Sequence, residues 1–389
     1  MKNLNSKRFV LASLTLSATC LISAQANVGA TNIHAESFDF YHKNWQLVCD
    51  NTRTCRAVGY QDDYTDDNQI SNPVALMLKR NAGANQRVRA YVMFGDDPYF
   101  MEDAEKIPNC KLTSPIITIN DKSFGSLGTP DKEDYSYELT TKQTHELINT
   151  LPTSSKIEFV VDCYHYQVSD KGSTAVLLKM DEVQGRIDTK GAIVKRGNKS
   201  ESSVLPALPT PVVHAVTIDD EKMQRDSDDA LFAKLESKMD NLAIATLRTT
   251  DSYETSDYCN LLTEEESDFN RDFKGWHFTR LDKNKLLASH DCWMGAYNFG
   301  TGFWVMNDKP PYQVKLVTDS GVSYSQGVIS LSHKDRGIGD CWNGASWRWA
   351  KTNRGMEFIK VEEFNTGMCK GIAAGGAFVL PTLVTEVIE

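Results

Sequence analysis

The stretch KNWQLVCDNTRTCRAVGY, residues 43–60, decides the fold. Its two cysteines flank a short polar turn. Trp45, Leu47 and Cys49 alternate with period two and share one face of a strand. Cys55 and Ala57 open a returning strand beyond the turn. Directly opposed residues of an antiparallel pair lie about 4.5–5.5 Å apart at Cα, within reach of a disulfide. A zinc clip favours tighter spacing and a second ligand pair, and a thioredoxin-like site wants C-x-x-C. The spacing therefore predicts a disulfide staple across a β-hairpin.

Such a staple persists in an oxidising compartment, and the N-terminus supplies a route to one. MKNLNSKRF carries Lys2, Lys7 and Arg8, the apolar run FVLASLTLSATCLI follows, and Ala24-Gln25-Ala26 gives a small-x-small cleavage pattern. Residues 1–26 read as a secretory signal peptide, and the apolar run is too short to span a bilayer comfortably. Cys20 suggests a lipoprotein signal, but Ser17, Ala18 and Thr19 before it lack the leucine and the small residue that lipidation favours. The mature chain is expected to begin near Asn27. Loss of Cys20 takes the nine cysteines to eight: Cys49, Cys55, Cys110, Cys163, Cys259, Cys292, Cys341 and Cys369. An even count in an exported chain implies bridges, and the expected location is periplasmic or secreted.

Removing the three positive charges of the signal lowers the net charge from −10 to −13. An acidic chain lacks the basic footprint of a nucleic-acid binder and is repelled by anionic lipid headgroups. No later segment is apolar enough to cross a membrane.

A mature length of this order exceeds what one core usually serves, so two domains are expected. The boundary is GNKSESSVLPALPTPVV, residues 197–213, where Ser-rich sequence meets Pro206, Pro209 and Pro211. It leaves an N-terminal β-rich domain over 27–196 and a C-terminal domain over 214–389, with four cysteines each. Four cysteines allow three pairings per half; the pairs expected are Cys49–Cys55, Cys110–Cys163, Cys259–Cys292 and Cys341–Cys369.

In the first half NPVALMLKR, QRVRAYVMF, KIEFVVDCYHYQV and TAVLLKMDEV read as strands. One helix is expected, opened by a capping box of Thr140 and Gln143 and stopped by Pro152. The second half opens with a helix whose Leu231, Leu235, Met239 and Leu242 form one stripe, with Asp228 and Asp229 at its positive end. Strands follow in KLLASHDCWMGAYN, TGFWVMN, YQVKLV, GVISL, ASWRWA and MEFIKVEEF. The fold class is mainly β (α+β), antiparallel and disulfide-stapled, with few helices.

Chemistry is sparsely signalled. No H-E-x-x-H or G-x-S-x-G motif occurs. His165 and His290 lie near cysteines, but bridged cysteines are not metal ligands, so neither a metal nor a cofactor is expected. QDDYTDDNQ lacks the glycine and glutamate of an EF-hand and reads as a solvated acidic loop; Glu264, Glu265 and Glu266 read the same way. Six of the seven tryptophans fall between Trp276 and Trp349. Trp347 and Trp349 share a strand face, either as a platform for a ring-shaped ligand or as padding for a β-core. In RGIGDCWNG, residues 336–344, Arg336 and Asp340 are placed to pair or to hold an acidic ligand, with Gly337, Gly339 and Gly344 permitting tight turns. Asp291-Cys292-Trp293-Met294-Gly295-Ala296 is echoed by Asp340-Cys341-Trp342-Asn343-Gly344-Ala345. Both read as one structural device: a buried cysteine, a tryptophan lid and a turn.

NWQLVCDNTRTCRAVGY, TAVLLKMDEVQGRI with GAIVKRG, the Pro-rich linker, CWMGAYN, and RGIGDC with a later MCKG occur in an order that resembles the domain-of-unknown-function family 1176 of exported bacterial proteins. That resemblance implies a periplasmic or secreted disulfide-bearing protein and carries no catalytic residues. The opening hairpin also resembles the exported invasion-associated locus B proteins, over the first half only.

The function expected is that of a non-catalytic envelope or secreted protein binding a partner, its acidic surface suited to a basic protein. The alternative is a glycan-binding or glycan-hydrolysing protein using Arg336, Asp340, Trp347 and Trp349.

Overall fold

A computed structural model describes residues 37–64, 70–95, 114–161, 164–247, 259–262 and 275–389. The chain begins as an antiparallel meander: β1 (Phe38–His42), β2 (Trp45–Cys49), β3 (Cys55–Tyr60), β4 (Val74–Arg80) and β5 (Arg89–Phe94). Cys49 and Cys55 are direct partners in the β2–β3 register and are joined by a disulfide. The polar turn between them is built by Asp50. Its carboxylate accepts the N–H groups of Thr52 (2.9 Å) and Thr54 (3.2 Å) and pairs with Arg56 at 2.9 Å. The expected staple is therefore present, with the DNTRT sequence as its turn chemistry.

β6 (Ile116–Ile119) and β7 (Lys122–Ser126) start a second sheet, and β8 (Tyr137–Glu138) returns to the edge of the first. α1 (Thr141–Thr150) carries the expected capping box, with Thr140 and Gln143 bonded reciprocally. β9 (Ile157–Val161) and β10 (Tyr164–Val168) complete a four-stranded sheet in the order β10-β9-β6-β7. One inner face of the six-stranded sheet supplies Trp45, Leu47, Leu76, Leu78 and Val92. It packs against Ile117, Phe159, Leu147 and Leu151 in a single core.

TAVLLKMDEV forms α2 (Ser173–Val183) rather than the expected strand. Its buried residues Ser173, Val176, Leu177, Met180 and Asp181 fall at helical spacing and cover the first sheet. Alternation was never present in the segment, and Ala, Leu, Lys, Met and Glu are good helix formers. The described residues of the first half thus hold two α-helices where one was expected.

Residues 197–213 run fastened along the first half. Leu205 N–H donates to Gln184 O at 3.1 Å and Leu208 N–H to Thr52 O at 3.2 Å. β11 (Val212–His214) and the short α3 (Asp220–Met223) lead into α4 (Asp228–Leu247). The expected stripe of α4 is observed: Leu235 and Met239 are buried and Leu231 and Leu242 partly so, all against one sheet. Asp228 does more than sit at the helix start. It is fully buried and holds Arg280 through both carboxylate oxygens, at 2.6 and 2.8 Å.

That sheet is formed by β12 (His277–Arg280), β13 (Lys285–Met294), β14 (Phe299–Asn307) and β15 (Lys315–Gly321). A five-stranded sheet lies on its other side: β16 (Ser323–Ser325), β17 (Val328–Lys334), β18 (Trp342–Thr352), β19 (Gly355–Asn365) and β20 (Leu380–Leu383). Leu287, Phe303 and Val305 of the first sheet meet Ile329, Trp347, Trp349 and Phe358 of the second. The second half is therefore layered: α4, sheet, sheet. β21 (Glu386–Ile388) pairs parallel with β11.

The halves share a core. The second face of the N-terminal sheet, with Val48, Val58, Tyr60, Ala75 and Met93, is covered by Ile372, Ala377, Phe378 and Leu380. This is why β2 is buried along its whole length. Asn51 in the hairpin turn adds a clamp, donating to Val384 O (3.0 Å) and accepting from Val384 N–H (2.8 Å). The pairs Cys259–Cys292 and Cys341–Cys369 are bonded as expected; Cys110 and Cys163 lie outside the described residues, as do Asp66, Asp67 and Glu264–Glu266.

Candidate functional site

Arg336 and Asp340 pair with each other. The guanidinium grips the carboxylate through two nitrogens, Nε at 2.6 Å. Asp340 also accepts the Gly371 N–H at 2.7 Å. Burial opposes ionisation of Asp340, but Arg336 and the Gly371 N–H outweigh it and hold the carboxyl below its ordinary value. The pair is spent inside the protein, joining the 336–340 loop to the segment bearing Cys369.

That segment, MCKG, is a clasp. Cys369 is bridged to Cys341. Lys370 reaches the first half, its Nζ 2.6 Å from Asp63 and 3.3 Å from Asn44, while its carbonyl accepts Gln61 Nε2 at 2.9 Å. Asp63, from the acidic run, thus serves as an anchor. In GIAAGGAF, Ile372, Ala377 and Phe378 sit in the shared core; of the small residues, Gly376 lies where a Cβ would meet Thr366, whereas Gly375 is in open space.

Trp347 and Trp349 lie in the core between the two sheets of the second half, 8% and 1% exposed. Phe358 packs on Trp349 with centroids 5.1 Å apart. Neither ring presents an open face. The neighbourhood of Asp335, Cys341 and Cys369 is compact enough for a metal, but its two sulfurs are joined to each other and provide no thiolate. His290 is buried against Trp276, its Nδ1 2.7 Å from the Asp291 carbonyl.

The aromatic surface lies instead at the other copy of the DCW echo. Pairing slips between Asp291 and Trp293, a bulge that leaves Cys292 as the extra residue. Cys292 is buried in its disulfide and Trp293 is set beside the β13–β14 turn. Gly300 is required there, because a Cβ on it would lie 2.1 Å from Trp293 Nε1. His333 meets Trp293 edge-on at 5.1 Å and places Nε2 3.0 Å from Phe299 O. The turn is tied to the second sheet by Asn298, whose amide donates to Lys334 O (2.7 Å) and accepts Lys334 N–H (3.0 Å). Tyr297 O–H donates to Asp335 O at 3.2 Å.

Asp291, Trp293, Met294, Gly295, Tyr297, Asn298 and Phe299 line a groove of about 370 Å³. Tyr297 and Phe299 are each 47% exposed. Asp291 spends one oxygen on Thr301 (3.0 Å) and, as a carboxylate, retains acceptor capacity. Such a groove can stack one ring-shaped ligand and hydrogen-bond its edge. Of the two readings open for Trp347 and Trp349, platform or core padding, the structure shows the second; the exposed aromatics belong to CWMGAYN and the phenylalanine that follows it. The exposed Tyr297 lies within the Gly295–Asn298 turn and Phe299 directly follows it, and turns run over the surface, where side chains escape burial.

The chain belongs to the family described as Protein of unknown function (DUF1176), which matches residues 39–385. No curated protein and no solved structure matches it.

Proposed function

Starting from membership of a family without assigned function, we propose that this protein is an exported, non-catalytic binding protein of the bacterial envelope that holds a glycan ring in the Trp293–Tyr297–Phe299 groove. The observation that carries this is an open aromatic concavity of about 370 Å³. That volume is in the range of small-ligand sites. A protein partner would use a broad surface of roughly 800 Å² per side. The apolar C–H face of a sugar ring stacks on aromatic rings, while its hydroxyls suit Asp291 and the polar rim. Export is supported by the N-terminal charge and apolar pattern and by disulfides, which persist in oxidising compartments. No described helix is long and apolar enough to cross a membrane.

The test is co-sedimentation of the mature protein with isolated peptidoglycan, scoring the bound fraction and any soluble fragments. Binding that Tyr297→Ala abolishes, without fragments, is the expected result. Fragments lost on mutating one carboxylate would make the protein a hydrolase. No binding would overturn the glycan reading and favour a basic protein partner for the acidic surface.

A further inference from the structure

We propose that the groove selects a sugar unit bearing a free, protonated amino group, held by Asp291 beside the rings of Trp293, Tyr297 and Phe299. This rests on the glycan reading of the groove and names the class of sugar it takes.

The walls are aromatic and the charge among them is negative. Of the seven described residues that line the groove, Asp291 is the one charged at neutral pH. Its carboxylate accepts the Thr301 hydroxyl at 3.0 Å, and among the described residues it has no ion-pair partner. The basic side chains of the adjoining 333–336 segment are committed elsewhere. Lys334 Nζ lies 5.5 Å over the Trp342 ring, and Arg336 grips Asp340. His333 spends Nε2 on the Phe299 carbonyl at 3.0 Å. Trp293 directs its N–H to Ser320 Oγ at 3.4 Å, which engages the polar edge of the indole within the protein.

Such a site discriminates by charge. Asp291 is half-buried, and a ligand seated in the groove displaces water from it. A neutral acetamido sugar can donate a hydrogen bond, but it leaves a negative charge desolvated and unpaired, which is costly. An ammonium supplies the countercharge, and its hydrogen bond to a carboxylate is roughly twice as strong as a neutral one. The rings act in the same sense. A cation within about 6 Å of an aromatic centroid is attracted by the ring quadrupole. The aromatic walls therefore serve two parts of one ligand, the C–H face of the sugar and its ammonium group.

Calorimetry at about pH 6, where ordinary carboxylates are ionised and amines protonated, compares a glucosamine tetrasaccharide with its fully N-acetylated counterpart. Wild type is expected to bind the free-amine form about tenfold more tightly. Asp291→Asn keeps an acceptor for Thr301 and should remove that preference, with the N-acetylated affinity at or above its wild-type value. Tyr297→Ala should weaken both sugars. Equal wild-type affinities, or a preference for the N-acetylated form, would overturn the inference and leave the glycan reading standing. A preference that survives Asp291→Asn would belong to the acidic chain as a whole and would overturn it equally. Failure of wild type to bind either sugar would sink the glycan reading together with this inference. Thermal melts show whether Asp291→Asn folds. If it does not, tetramethylammonium chloride carries the test on wild type. It should displace the glucosamine tetrasaccharide more strongly than sodium chloride at equal ionic strength, and equal displacement would overturn the inference.

Discussion

The hydroxyl of Tyr60, wholly buried in the first half of the chain, accepts the backbone N–H of Met368 in the second at 3.1 Å. Gly367 beside it has φ +88°, and a Cβ there would lie 2.1 Å from the Tyr60 oxygen. Tyr60→Phe keeps the ring and removes the acceptor of the half-buried Met368 N–H, at a cost of about 1 kcal/mol. Gly367→Ala adds both clash and backbone strain and should cost more. Urea titration of each variant measures the difference; equal stability of Tyr60→Phe and wild type would show that the junction does not depend on this bond.

Alkaline pH should act through the same residue. Burial holds the Tyr60 hydroxyl well above its ordinary 10.0, despite the Met368 N–H, which favours the ionised form. An acid raised in the folded state keeps its proton when the unfolded chain loses it. Its stabilisation is complete below pH 10 and declines above it, by about 1.4 kcal/mol per pH unit per proton. Melting temperatures followed above pH 10 should fall less steeply in Tyr60→Phe than in wild type.

Asp228 and Arg280 are buried together, with side chains 1% and 2% exposed. Asp228→Ala strands a guanidinium in the interior and should destabilise by about 3–5 kcal/mol. Asp308, 3.2 Å from Arg280, retains part of the charge balance and softens the loss. The paired change Asp228→Leu with Arg280→Met should recover much of it, and chemical denaturation of the single and paired variants reads the coupling. A paired variant no better than the single one would mean that the ions, not their volume, hold α4 in place.

Trp349 and Tyr297 should separate fold from site. Trp349→Ala empties a core position and should cost about 3–5 kcal/mol. Tyr297→Ala removes an exposed ring and should change stability by less than about 1 kcal/mol while abolishing peptidoglycan binding. Loss of stability in Tyr297→Ala comparable to that of Trp349→Ala would make the groove aromatics structural.

The disulfides should differ in worth by the loops they close. Cys49–Cys55 spans a sequence separation of 6 and Cys259–Cys292 one of 33. Loop entropy assigns about 2 kcal/mol to the first and about 4 kcal/mol to the second. Paired alanine variants compared by guanidinium unfolding should rank in that order.

Local order was written in the chain. The Cys49–Cys55 staple follows from period-two alternation across a turn whose Asp50 caps its own backbone. The start of α1 was legible in Thr140 and Gln143, and the packed stripe of α4 in its spacing. α2 is equally legible in the spacing of Val176, Leu177 and Met180, a helical period inside an apolar run that also resembles a strand. These features depend on neighbours within a few residues, so backbone geometry and side-chain period suffice to set them. What only tertiary structure decided is which aromatic rings are covered. Trp347 and Trp349 share a strand face, as alternation dictates, but a second sheet closes over that face, while Tyr297 at its turn stays 47% exposed. Gln46 and Asn365 meet across 319 positions of sequence. Alternation assigns each residue to a side of its strand; which side is buried depends on the partner layer that the rest of the chain brings to it.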